Sequence, residues 1–161
     1  MTWPPANHPS LPRFTPDSRD SGGSGGYCLA TPTEEGIVET ETALAAIRRI
    51  YLDGFNSGDL AAIMRVHTAD TVHLPSGMPP VVGQEAVREL MRLSLSRIPP
   101  GFRFEFQAME ARIADDFAVE RGITPPASAF PGGKYIMLYE KEPDGCWRIA
   151  WTMTNLDSVP G

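Results

Sequence analysis

Glu120 is the residue whose type and setting most invite chemistry. It lies in the run Phe117–Ile123, FAVERGI, and shares strand parity with Ala118 and Gly122. A carboxylate turned into a dry cavity acquires a raised pKa suited to general acid–base work. The same alternation admits a second reading, an outer-face carboxylate paired with Arg121 or with an arginine of a neighbouring strand. His73, in the run Asp70–Leu74, titrates near neutral pH and stands beside the Pro- and Gly-rich stretch that follows. If Val72 and Leu74 face the core, alternation turns His73 outward, to the surface or an interface. Tyr51, Tyr135, Tyr139 and Trp151 offer donors and ring faces to a ligand, or to a core in which each donor finds one partner. Asn155 either orients a polar ligand group or closes its strand through local hydrogen bonds. The seven methionines, Met137 and Met153 among them, suit an adaptable apolar cavity or ordinary packing. The expected acid–base residues are Glu120, Tyr51 and His73, with Leu74, Met137, Trp151, Met153 and Asn155 around the ligand.

Other chemistries lack their residue patterns. His67, Asp70 and His73 span a helix end and a strand without a metal-ligand spacing, so no metal is expected. Gly77 and Gly132-Gly133 lack the strand, glycine loop and helix that cradle a phosphate, and no cofactor is called for. Cys146 has no recognisable base in the sequence, and the two cysteines, Cys28 and Cys146, lie far apart. A formal net charge of -6 with no Lys/Arg cluster argues against nucleic acid as a partner. No apolar run reaches the roughly 20 residues of a membrane helix, and the N-terminus has no signal-peptide core. A soluble, cytoplasmic protein acting on a small hydrophobic molecule is the resulting expectation.

The elements that must position these residues follow from periodicity. The 161 residues, 42% of them hydrophobic, suit one domain. Residues 1–30, with five prolines and the run SGGSGG, read as a disordered tail, and residues 31–161 as the folded unit. Thr31, Pro32 and Glu34 predict a capped helix start. Leu44, Ile47, Tyr51 and Phe55 form the inner stripe of that helix, with Arg48, Arg49 and Asp53 away from it, and Gly58 ends it. A short helix from Leu60 presents Leu60, Ile63 and Met64. A strand over Asp70–Leu74 follows, then a third helix with Val87, Leu90, Met91, Ser94 and Ile98 inward. Phe102, Phe104 and Phe106 alternate with polar residues, and the apolar parity then moves to Met109, Ala111 and Ile113, which predicts a bulge near Ala108. The last hairpin, Lys134–Asn155, turns at Asp144-Gly145. Its second run predicts Trp147, Ile149, Trp151 and Met153 on one apolar face. About three helices and four or more strands predict an α+β domain whose curved antiparallel sheet wraps the long helix as a cone.

The stretches YLDGFNSGDL (Tyr51–Leu60), DTVHLPSGMPPVVG (Asp70–Gly83) with QEAVREL after it, AVERG (Ala118–Gly122) and DGCWRI before Asn155 and Asp157 resemble the nuclear-transport-factor-like superfamily, in its SnoaL-like or ketosteroid isomerase-like branch. The resemblance covers about Glu39 to Pro160. It implies a cone-shaped fold with a mostly apolar pocket, often dimeric through the outer face of the sheet. Similar folds serve isomerases, polyketide cyclases, dehydratases, epoxide hydrolases and non-catalytic association domains. The resemblance also adds weight to Tyr51, since the isomerases place a donor tyrosine on a matching helix. This sequence departs from the pattern at Leu74, where the isomerases carry a catalytic Asp, and at Thr152, where close relatives often carry an acid. Two readings follow: a cofactor-independent isomerase, cyclase or dehydratase, and a non-catalytic binding or dimerisation module.

Overall fold

A computed structural model describes residues 33–127 and 130–157. The expected tail over residues 1–30, the Thr31 cap and Cys28 lie outside these residues. Helix α1, Glu34–Ser57, is capped by Thr33, whose hydroxyl accepts from the Gly36 amide at 3.2 Å. The observed cap is thus Thr33, two residues beyond the expected one. Leu44, Ile47 and Tyr51 recur at helical spacing and are buried. The helix ends at Gly58, φ 75°, which takes the left-handed conformation that a Cβ disfavours. Asp59 then caps α2, Leu60–Arg65, by accepting from the Ala62 amide.

Strand β1, His67–Leu74, leads through a two-residue strand β2, Val81–Val82, into α3, Gln84–Ser96. Strands β3 (Gln107–Ile113), β4 (Phe117–Thr124), β5 (Gly133–Lys141) and β6 (Trp147–Leu156) follow. One curved, unclosed six-stranded sheet results, in the order β2-β1-β6-β5-β4-β3. Neighbours are antiparallel except β1 and β6, which run parallel, so the sheet is not the pure antiparallel meander that the sequence suggests. The three helices gather on the concave side, and α1, α2 and α3 contribute Leu44, Ile47, Tyr51, Ile63, Met64, Val87 and Met91 to one core with Tyr135, Met137, Tyr139, Trp147 and Ile149 of the sheet. The α+β cone expected from the element order is the fold observed.

Three local expectations differ from the structure, each for a physical reason. Phe102, Phe104 and Phe106 do alternate toward the interior, but residues 102–106 pair with no strand, and β3 begins only at Gln107. The three phenyls pack as an aromatic string, with Phe104 5.3 Å from Phe55 and Phe106 4.8 Å from Tyr135 between ring centres. The predicted bulge is present, as a register shift between Ala108 and Glu110. In β6 a further shift, opposite Leu138 and Tyr139, inserts Ala150. The inward parity therefore passes from Trp147 and Ile149 to Ala150 and Thr152. Trp151 and Met153 turn to the outer face, 54% and 45% exposed, where one apolar face had been expected to hold all four. In β1 the inward residues are Thr71 and His73, while Val72 and Leu74 face the outer side of the sheet.

Candidate functional site

A cavity of about 250 Å³ opens between α1, α3 and the end of the sheet. Helix α1 supplies Tyr51, Leu52 and Phe55, α3 supplies Leu90, Met91 and Ser94, and the aromatic string supplies Phe104 and Phe106. His73, Pro75 and Met78 close one side, and Phe130, Lys134, Thr154 and Asn155 the other. No carboxylate lines it among the described residues. The wall is thus an apolar, aromatic enclosure with a few polar atoms, the arrangement that fixes an apolar ligand in one orientation.

Tyr51 and His73 stand on this wall, with His67 and Thr152 behind it, and their polar atoms have distinct states. The Tyr51 hydroxyl donates to the Met91 sulfur at 3.8 Å, a weak acceptor, and burial pushes its pKa up, so it remains a donor. Its ring is stacked on Phe106 at 5.7 Å and tilted against His67 at 5.6 Å. His67 places Nδ1 2.8 Å from the Ile63 carbonyl. A carbonyl only accepts, so Nδ1 carries the proton and Nε2 the lone pair. Nε2, buried, has no partner. His73 is 7% exposed, and its Nδ1 likewise lacks a partner. Burial, and secondarily the nearby His67, lowers the His73 pKa to about 4, so the imidazole is neutral at physiological pH. Thr152, the ladder neighbour of His73 across β1 and β6, is 1% exposed with an unpartnered hydroxyl.

Glu120 belongs to a different place. Its parity turns it inward, 2% exposed, but into the core between α1 and β4–β5, not onto the cavity wall. Arg48 forms an ion pair with it, and the Tyr135 and Tyr139 hydroxyls donate to Oε1 at 2.9 and 3.4 Å. Gly122 makes room for this cluster: a Cβ there would stand 2.6 Å from the Tyr135 ring and 2.3 Å from the Gln107 carbonyl. Arg48 was expected away from the inner stripe of α1. Its long side chain instead reaches the core from the flank and stays one-fifth exposed. Burial raises the pKa of both tyrosines, and the Glu120 carboxylate adds to the shift, so both stay protonated as donors.

Of the residues singled out by sequence, the structure brings Tyr51, His73 and Asn155 to one cavity. Met137 is fully buried beneath Tyr139, beside Glu120, away from the wall. Leu74, Trp151 and Met153 lie on the outer face, because the β6 bulge and the parity of β1 direct them there. The outward turn expected of His73 rested on Val72 and Leu74 facing the core, and it fails because the outer face of this sheet is apolar as well. The sequence offers His67 only as a metal ligand, and it offers Met78 and Met91 both as packing and as part of an adaptable apolar cavity, where the structure places them. Thr152 entered only as a departure from an acidic position; its inward parity is set by a bulge that alternation alone does not show.

Solved structures with the same fold include an NTF2-like protein of unknown function from Pseudomonas putida, at TM-score 0.67 and 13% identity, covering 76% of this chain and 98% of that one. A ketosteroid isomerase-like protein from Erwinia carotovora atroseptica matches at TM-score 0.59 and 26% identity, over 73% and 96% of the two chains. An NTF2-like protein with a cystatin-like fold from Novosphingobium aromaticivorans matches at 0.63 and 17%, over 78% and 86%. No curated protein matches the chain. Residues 47–145 match the SnoaL-like domain, and with the cone fold and its apolar cavity in place the chain belongs to the SnoaL-like domain family.

Proposed function

We propose that this chain holds a small, largely apolar molecule in the aromatic cavity and acts on its polar atom without a cofactor. Tyr51 serves as hydrogen-bond donor to that atom, and neutral His73 as proton acceptor. Isomerisation, cyclisation or dehydration by proton transfer is the chemistry such a pair supports, the donor stabilising negative charge as it develops on oxygen. The observation that carries the reading is His73, a neutral imidazole with an unpartnered ring nitrogen, in the wall of an otherwise apolar cavity. A base with a pKa near 4 is weak, which suits a substrate whose proton is already acidified by a neighbouring carbonyl. Glu120 takes the role of bracing Tyr135, and through it Phe106, against the cavity. A ring-sized β,γ-unsaturated ketone in deuterated water tests this directly. Wild-type protein and Glu120→Gln should both catalyse deuterium exchange beside the carbonyl, followed by NMR, while His73→Gln should not. Exchange that survives in His73→Gln, or is absent in the wild type, removes the catalytic assignment.

A second reading, a dimerisation module, is favoured by one observation. Val72, Leu138, Trp151, Ile136 and Met153 are joined by ladder pairing across β1, β6 and β5 on the outer face, and the last three are about half exposed. Such a contiguous apolar patch suits a second copy of this chain placed sheet to sheet. Sedimentation should give a dimer that Trp151→Glu converts to monomer. A wild-type monomer at all concentrations would remove this reading and leave the cavity untouched.

A further inference from the structure

Most buried polar groups of this interior are either spent within the fold or sealed from the cavity. Glu120 is engaged by Arg48, Tyr135 and Tyr139, and the unpartnered atoms of His67, Thr68, His73 and Thr152 keep no open surface. Thr124 differs from both groups. It closes the inward series Ala118, Glu120, Gly122, Thr124 of β4, is 6% exposed and lines the cavity. Its hydroxyl has no hydrogen-bond partner among the described residues, yet it is not one of the sealed atoms, so its capacity is open to what the cavity holds. Gly133, its ladder neighbour, leaves that side free, since a Cβ there would stand 3.2 Å from Thr124 Oγ1. Valine would fill the same place with the same shape and no polar atom, and an unmet buried hydroxyl costs about 1–3 kcal/mol.

The position of Thr124 gives this hydroxyl a distinct role. His73 pairs with Thr152, Thr152 with Met137, and Met137 with Glu120, so His73 is level with Glu120 in the sheet. Thr124 lies three strands from His73 and two inward positions further along β4. Both line one cavity, and they mark its opposite ends. We infer that Thr124 is a second polar subsite, which holds a ligand hydroxyl at the far end of a ring from the carbonyl addressed by Tyr51 and His73. The inference rests on the pocket reading above and names its substrate class, an uncharged ring ketone with a hydroxyl opposite the carbonyl. A hydroxyl suits threonine because each can donate to or accept from the other. A carboxylate does not suit this end. The charged side chain on the wall, Lys134, is engaged by Asp157, so a ligand anion would lose its hydration without a free counter-charge. One ring matches the volume: a cavity of roughly 150 Å³ takes benzene, and this one is about 250 Å³.

Isothermal titration of the full chain with para-hydroxyacetophenone, acetophenone and para-acetylbenzoate tests the inference. The hydroxy ketone should bind roughly tenfold more tightly than either of the others, the worth of one net hydrogen bond. Thr124→Val should bring it down to the level of acetophenone, whose own binding stays unchanged. Thr124→Ser, which keeps the hydroxyl, and Thr152→Val, which deletes one behind the wall, should both retain the preference. Equal binding of the two ketones by the wild type, or a preference kept in Thr124→Val, overturns the subsite and leaves the pocket reading standing. Loss of the preference in Thr152→Val as well overturns it too, because the effect would then be one of packing. Benzoate binding as tight as that of the hydroxy ketone overturns the ligand class. Failure of all three probes to bind removes the pocket reading and this inference together.

Discussion

The interior of this cone holds two polar clusters of opposite character. Around Glu120, the carboxylate receives Arg48, Tyr135 and Tyr139. Around His73, neighbouring imidazole and hydroxyl atoms are buried without partners. Both lie within the same sheet and are about equally hidden from solvent. The two conditions have different consequences: saturation makes a buried polar group a structural brace, and vacancy leaves its hydrogen-bonding capacity unspent at a cost in stability. A carboxylate in an apolar strand draws attention first, yet in this fold three donors from the core already engage it. The less conspicuous histidine and threonine keep their bonding capacity.

The largest expected effect breaks the saturated cluster. Arg48→Met leaves a core carboxylate without its cation, and breaking a buried pair from one side costs about 3–5 kcal/mol. Arg48 is one-fifth exposed, which places the loss near the lower end, about 3 kcal/mol. Urea unfolding should show it as a lower midpoint with unchanged slope. A loss below about 1 kcal/mol would mean the network braces nothing.

An effect of similar size belongs to the other cluster and depends on pH. His73 is held neutral down to about pH 4 in the fold, against 6.5 when unfolded. Between those values the unfolded chain binds a proton that the folded one refuses. The neutral histidine therefore favours the fold fully above pH 6.5, and the contribution is lost as pH falls toward 4. At about 1.4 kcal/mol per pH unit the difference is about 3 kcal/mol. His67, also shifted downward, adds in the same direction. Thermal melts across this window should flatten in His73→Gln relative to wild type. Equal slopes in both proteins would mean that His73 is solvated, and the contrast between the clusters would collapse.

How much of this was legible in the sequence depends on which physical signal each residue carries. Helical periodicity showed Leu44, Ile47 and Tyr51 directly, and Gly58 and Asp59 marked the boundary between α1 and α2, because capping chemistry is local. The apolar shift at Met109 exposed the β3 bulge. The β6 bulge left no such trace, since Trp151 and Met153 continue an apolar alternation although they lie on the outer face. An apolar pattern shows that a face is covered or coverable, not which of two apolar faces it is. Likewise Arg48 looked like a solvated residue, because its partner Glu120 is 72 positions away. Pairing across that distance is a property of the assembled sheet. The cavity itself, built from six separate stretches of chain, had no local signature beyond Tyr51.

A smaller effect sharpens the comparison from within the saturated cluster. Tyr135→Phe removes one hydroxyl that donates to the Glu120 carboxylate at 2.9 Å and leaves the ring on Phe106 in place. A hydrogen bond to a charged group is worth about 1.5–3 kcal/mol, and Arg48 and Tyr139 remain to share the load, so a loss of about 1.5 kcal/mol in urea unfolding is expected. A neutral substitution would show the tyrosine to be mere packing.

The smallest effect is the sharpest contrast. Thr152→Val exchanges one β-branched side chain for another of the same shape, in a strand where both fit, and deletes a hydroxyl that is 1% exposed and bonded to nothing. Deleting a bonded hydroxyl from a core normally destabilises, because its partner is left behind. Here no partner is left, so unfolding in the absence of any ligand should be unchanged or more difficult, by up to about 1 kcal/mol. Tyr135→Phe and Thr152→Val are each the loss of a single buried oxygen, and they should move stability in opposite directions. If Thr152→Val instead costs as much as Tyr135→Phe, its hydroxyl is satisfied in solution, and the His73 cluster is a second brace.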